Sequence, residues 1–285
     1  MDLTAQIIDA ITAWLQTVAT ALTTAAFGAV GQLIFSTPAL DQIPEVQATW
    51  SLVQAIANSL FGLAILAAGI LVMASGTVES RYSAKLLVTR LALAAIGANA
   101  SLALTGALIR LDNALVTGLL GADPAAATVS ELADIIQSAH PVNQYVTILV
   151  ALWAAFLALF LVALYIGRDL ALLLATVAAP LALATYALPQ TDEIARLWLR
   201  AFLALLFVQV VQAVLVLIGL QLLRRTDWLG GAASDLISGL MLIALLYLLF
   251  KLPFAAFHWA FRQTVHQVPL VQPLVVAARV TRGSL

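Results

Sequence analysis

Amides and hydroxyls set in long apolar runs are the side chains here with the clearest chemical potential. Gln54 and Asn58 lie four apart, Asn99 stands in a later run, and Gln209 and Gln212 lie three apart. Residues three or four apart share a helix face, so each pair presents two amides together. Gly97, Ser101 and Thr105 recur every four residues as a small-residue stripe. Two kinds of chemistry fit these residues. Amides and small residues join helices by hydrogen bonds and close packing, or they line a polar conduit. Asp, Glu, Lys and Arg are read as absent from mid-span, which argues against a proton relay or an ion-coupled carrier.

A second group centres on proline. Pro180 interrupts one apolar run, Pro189 ends it, and Trp198 and Arg200 follow closely. Proline removes an intrahelical hydrogen bond and clashes with the preceding turn, so a broken segment is expected, forming a gate or docking element. Catalysis finds no support. His140, His258 and His266 lie at run edges or in the tail, without a Ser nucleophile or paired carboxylate beside them, and they suit interface anchoring. No metalloprotease, phosphate-loop or nucleophile-elbow motif occurs. The chain reads as non-enzymatic, with no cofactor and no metal, and zero cysteines exclude disulfides and thiolate metal sites.

The elements that must carry these residues follow from composition. Of 285 residues, 63% are hydrophobic and 9% charged, against roughly 25% charged in soluble domains. Mean hydropathy is +1.05. Uncharged runs cover Val46–Val78, Leu91–Ile109, Pro141–Gly167, Leu170–Thr191 and Ala201–Leu223, with a shorter one at Leu236–Phe250. About 20 apolar residues cross a bilayer core, and spanning backbone must be helical or form a closed barrel. The expected fold is all-α: a polytopic bundle of five to six spans, plus an N-terminal amphipathic helix and one proline-broken, re-entrant segment. A net charge of −1 gives no reason for direct sequence-specific nucleic-acid binding.

Three regions are expected. Residues 1–45 form an N-terminal amphipathic helix and linker on the external face, with Ile7, Ile11, Trp14, Val18 and Leu22 on one side and Asp9, Gln16, Thr20 and Thr23 on the other; a weakly hydrophobic seventh span is the alternative. Residues 46–258 form the transmembrane domain, and 259–285 a cytoplasmic tail. A tight turn is expected at Arg168-Asp169, separating spans at Tyr145–Gly167 and Leu170–Leu188. With six full crossings, Lys and Arg divide almost evenly between the two sides. Letting the Pro180 segment enter and return on the cytoplasmic side gives ten inside and three outside, as the positive-inside rule prefers. Arg90 precedes Asn99 by nine residues, as Arg200 precedes Gln209, an echo of two spans entering from one side.

The block Ala179-Pro180-Leu181, Ala187-Leu188-Pro189-Gln190-Thr191 and Ala195-Arg196-Leu197-Trp198-Leu199-Arg200-Ala201 resembles the TrbL-like conjugal transfer membrane proteins, closest to Gram-positive versions. Trp50, Gly69 with Leu71-Val72-Met73, Arg81-Tyr82, Ala98-Asn99-Ala100-Ser101, Gln209, Gln212 and Lys251-Leu252-Pro253 match in the same order, so the likeness covers Trp50 to Pro253. Many relatives carry a longer Gly- and Arg-rich tail, which this chain departs from. The resemblance implies a channel or scaffold subunit of a type IV secretion machine, multi-pass in a prokaryotic cytoplasmic membrane. Its implied surroundings are membrane lipid, a homo-oligomeric ring, other secretion-system membrane subunits and a cytoplasmic ATPase. A stand-alone small-solute channel or transporter and a structural scaffold are the alternatives.

Overall fold

A computed structural model describes residues 3–74, 84–124, 126, 128, 144–224 and 233–262. Among these, six long helices make up the fold: α1 (Leu3–Phe35), α2 (Pro44–Ala74), α3 (Ala84–Leu120), α4 (Gln144–Ala184), α5 (Asp192–Arg224) and α6 (Ala233–Arg262). Short 3-10 turns at Leu40–Gln42 and Thr185–Ala187 join them, and no strand occurs among the described residues. The sequence is rich in Ala and Leu, the strongest apolar helix formers. Helix ends carry ordinary local signals. Pro44 opens α2 with Glu45 in the first turn, where the missing N–H costs nothing and a carboxylate suits the dipole. Gly121 closes α3 with φ 97°, and its N–H donates to Thr117 O at 2.9 Å, as a left-handed C-terminal cap requires.

Five helices are long and apolar enough to cross a membrane, so the all-α polytopic bundle stands. Its course is set by side-chain contacts. Thr23 donates to the Ala151 carbonyl and Arg168 to Thr37, so α1 runs parallel to α4. Gly97 lies against Leu183 and Asp112 against Arg168, which makes α3 antiparallel to α4. Trp50 donates to Ser101 and Gln54 to Asn99, so α2 is antiparallel to α3. It follows that α1 and α2 point the same way. They follow one another along the bundle, joined by residues 36–43 at the level of Arg168. Arg90 pairs with Asp192 and Gln209 with Asn113, so α3 and α5 run in parallel, as the Arg90–Asn99 and Arg200–Gln209 echo anticipates. The Gln212 contact with Leu249 and the Gly219 contact with Leu245 make α6 antiparallel to α5. The described helices thus make five passes, with α1 and α2 sharing one, and the described ends lie at opposite ends of the bundle.

Two main apolar cores are stacked along the bundle, with a small third cluster of Ala19, Ile148 and Ala151. The larger joins Ala26, Phe27, Val30 and Ile34 of α1 to Ala154, Ala158, Leu161 and Tyr165 of α4, with Ala213, Val216 and Leu220 of α5 and Leu242, Leu245 and Leu249 of α6. The smaller joins Leu40, Ile109, Leu172, Phe202, Leu205 and Leu206. Along α4 they meet between Tyr165 and Leu172, where Arg168 and Asp169 stand.

The structure corrects two expectations. No turn forms at Arg168-Asp169: α4 continues through it for 41 residues, about 61 Å at 1.5 Å per residue and twice a bilayer core. The two expected spans are one helix, because buried partners receive the charges there. Nor does Pro180 break the chain. It lies inside α4, and the reversal falls instead at 185–191 with Pro189, so α4 passes through the bundle where an entering and returning segment was expected. An odd number of passes puts the described ends at opposite ends of the bundle, while Arg168, one of the ten charges assigned to the inside, stands within the bundle instead. In α1, Ile7, Ile11, Trp14 and Leu22 face outward. The inward face carries Thr12, Ala19, Thr23 and Ala26, small residues that permit close approach between helices in lipid.

Candidate functional site

Where the two cores meet, a polar layer fills the bundle. Arg168, 4% exposed, projects from α4 among three other segments. Its Nε donates to the Leu205 carbonyl at 3.0 Å and its Nη1 to Thr37 Oγ1 at 3.0 Å and Asp169 Oδ1 at 3.2 Å. Its Nη2 donates to Gln209 Oε1 at 2.8 Å and lies 3.7 Å from Asp112 Oδ2 in an ion pair. Thr37 donates its hydroxyl to Gln209 Oε1 at 2.7 Å. Asn113 closes the circuit: its Oδ1 accepts from the Thr37 N–H and from Gln209 Nε2, and its Nδ2 donates to the Thr37 carbonyl. A buried guanidinium is tolerable only when its charge and donors are met, and here the linker, α3, α4 and α5 all contribute. The layer therefore ties together both stacked halves of the molecule.

This layer is what sequence reasoning missed. Arg168, Asp112 and Asp169 stand at membrane depth, where no charged residue is expected, and Thr37 and Asn113 join them. The available signal is the Arg-Asp pair inside an otherwise uninterrupted apolar stretch, with Gly167 its one local turn-former and no proline close by. A short connection between two spans usually carries more turn residues. The arrangement holds no nucleophile paired with a base, and no group of three His, Cys, Asp or Glu capable of holding a metal occurs among the described residues.

The residues singled out from sequence divide between inside and outside. Ser101, Thr105, Gln209 and Gln212 are fully buried. Ser101 accepts from Trp50 Nε1 at 2.9 Å, and Thr105 donates to the Ser101 carbonyl of its own helix. Gln212 donates to the Leu249 carbonyl across α5 and α6 at 2.9 Å. Gly97 meets only the Leu183 side chain. Ser101 and Gln212 thus bond between helices, Thr105 bonds within its own, and Gln209 belongs to the Arg168 layer. Asn58 and Asn99 face outward instead. They exchange reciprocal amide hydrogen bonds at 3.1 and 3.2 Å, and Gln54 donates to Asn99 Oδ1 at 3.1 Å.

The expected gate residues do not converge. Pro180 is buried within α4, and Pro189 lies in the turn to α5. Trp198 donates its indole N–H to the Ala175 carbonyl at 2.9 Å and stacks on Phe202, so it locks α5 to α4. Ala175 precedes Thr176, whose carbonyl loses its helical donor to Pro180; the tryptophan braces the helix at that loosened turn. Arg200 points outward and forms no polar contact among the described residues. At this end of the bundle Arg90 bridges α3 to Asp192 at 3.0 Å and lies over the Tyr186 ring, while Arg196 pairs with the same carboxylate at 2.7 Å.

The site's character is thus that of a braced multi-pass membrane subunit. No curated relative and no solved structure matches the chain. The family described as TrbL/VirB6 plasmid conjugal transfer like protein matches residues 1–285, and the chain belongs to that family.

Proposed function

We propose that this protein is a channel-forming subunit of a conjugation machine of the type IV secretion class, in the cytoplasmic membrane of a prokaryote. The observation that carries the reading is the family match along the whole chain. A single bundle filled by two apolar cores and a closed polar layer has no interior room for a macromolecule. Several copies must share the task, and a closed ring is the usual arrangement of identical subunits. Other secretion-system membrane subunits and a cytoplasmic ATPase are the partners, the latter because no phosphate-binding loop occurs in this sequence.

Orientation follows from charge. Lys85, Arg90, Arg196 and Arg262 lie toward one end of the bundle and Arg224 at the other. The first end is cytoplasmic by the positive-inside rule, so α1 begins outside and α6 ends inside. The turn with Pro189 and the exposed Arg200 then offers the machine's cytoplasmic components a docking element. Residues 1–45 lie on the external side up to mid-depth. The charged layer is the kind of feature a proton-coupled carrier uses, which keeps a small-solute transporter as the second reading.

The test is genetic and biochemical together. Removing the protein from a donor strain abolishes plasmid transfer, the intact chain restores it, and mild detergent extracts it as a homo-oligomer with the machine's other membrane subunits. Undiminished transfer without the protein, or a monomer that extracts alone, overturns the reading in favour of the transporter.

A further inference from the structure

The amides of α2 have hydrogen-bonding capacity that the chain itself does not use. Asn99 is complete: both its N–H groups donate, to Asn58 Oδ1 and the Ala95 carbonyl, and its Oδ1 accepts from Gln54 and Asn58. Asn58 gives one N–H and accepts once, which leaves one donor and one lone pair. Gln54 directs its Nε2 at Asn99, and its Oε1 has no partner among the described residues. These groups sit one helical turn apart on the side of α2 that meets α3, and exposed Leu52, Ile56 and Leu60 lie on the opposite side of the helix. Lipid tails offer them neither donor nor acceptor, and an unmet amide in an apolar medium costs on the order of 1–3 kcal/mol.

The helix that carries them is also the most open one. Only 6% of the apolar core of α2 is buried, against 28–44% in the other four candidate spans. What covers it must supply both a donor and an acceptor at one depth. A second copy of the same edge does so. Around a cyclic axis normal to the membrane, equivalent residues of every copy lie at the same depth, and those nearest the axis meet their own counterparts.

We propose that α2 lines the axis of a cyclic assembly of this chain, with Gln54 and Asn58 of successive copies meeting as one amide collar. The proposal rests on the ring reading above and assigns it an inner surface. The amides hold the copies in register and hydrate the axis when it widens, while exposed Leu52, Ile56 and Leu60 lie on the opposite side of α2. Ser101, Thr105, Gln209 and Gln212 play no part, because their own chain buries them.

A single cysteine reports this directly, since the chain has none of its own. Asn58→Cys is oxidised with copper phenanthroline in native membranes that contain the assembled machine. Gln54→Cys serves as the second probe should Asn58→Cys fail to accumulate. Phe207→Cys, on the outer side of α5 and 61% exposed, is the control. The expected result is a disulfide-linked homodimer at position 58 or 54, formed at least about tenfold faster than at 207 because the axis raises the local concentration. An oligomer by mass with no homodimer at 54 or 58 overturns the collar and leaves the ring. Adducts of position 58 only with a different protein overturn it equally. A monomer by mass removes the ring, and the collar with it.

Discussion

The two halves of the bundle, one on each side of the Arg168 layer, are built from similar residues and finished to different degrees. The half holding α1, the first part of α4, the end of α5 and most of α6 packs eighteen buried apolar residues into one core. The half holding α2, most of α3 and the end of α4 has six, and α2 is left almost bare. Polar groups follow suit. Gln209 and Gln212 are enclosed, while Gln54 and Asn58 keep capacity in reserve on the surface. One half is enclosed by a single chain. The other is shaped for neighbours, and the layer between them lets a finished scaffold hold out an unfinished face.

Breaking the layer has the largest expected effect. Arg168→Ala leaves Thr37, Asp169, Gln209 and the Leu205 carbonyl without their common donor and Asp112 without its ion-pair partner. Removing one partner of a buried pair costs about 3–5 kcal/mol, so the purified protein loses most of its thermal stability in detergent. Arg168→Ala with Asp112→Ala recovers part of the loss. Unchanged unfolding of the single variant shows that the halves stand without the layer.

A glycine pair sharpens the contrast further. A Cβ at Gly219 would collide with the Leu245 side chain, whereas at Gly62 on α2 nothing lies within 4 Å. Gly219→Val is expected to destabilise by about 1–3 kcal/mol through overpacking. Gly62→Ala leaves the isolated chain as stable or firmer by up to about 1 kcal/mol, since Ala favours helix over Gly. Equal unfolding midpoints for the two variants would erase the distinction between a closed and an open half.

The smallest effect belongs to Arg110. Its ion pair with Asp41 borders the layer but leaves the arginine 53% exposed, and exposed pairs contribute about 0–1 kcal/mol. Arg110→Ala is therefore expected to shift unfolding slightly, and less at high salt. A loss as large as that of Arg168→Ala makes the layer wider than the hydrogen bonds at Arg168 describe.

How much of this was legible in the sequence depends on which residues are asked. The helical bundle and its membrane solvent follow from run lengths alone, and the spacing of Arg90 and Arg200 pointed to two parallel passes. Arg168-Asp169 misled because a charged pair between apolar runs looks like a connection. Only the distant Thr37, Asp112 and Gln209 turn it into helix interior, and no local pattern names them. Pro180 misled for a related reason: its lost hydrogen bond is local, but Trp198, eighteen positions on, braces the turn. Asn58 and Gln209 are both amides in apolar runs, one outside and one in. Their side chains carry no record of which face the neighbouring helices cover.

The division of the first pass into α1 and α2 has a mechanical consequence. A continuous helix such as α4 is a strut, stiff against bending because its hydrogen bonds run unbroken end to end. The α1–α2 column has a joint at 36–43, and the joint is pinned at Thr37 to the strut by Arg168 and to α3 by Asn113. A load applied to α2 beyond its bonds to Ser101 and Asn99 of α3 is carried toward that pin and away from the larger core. The lever arm is α2 itself, 31 residues long, about 46 Å. A tilt of a few degrees at the pin becomes a sideways displacement of several ångströms at its free end.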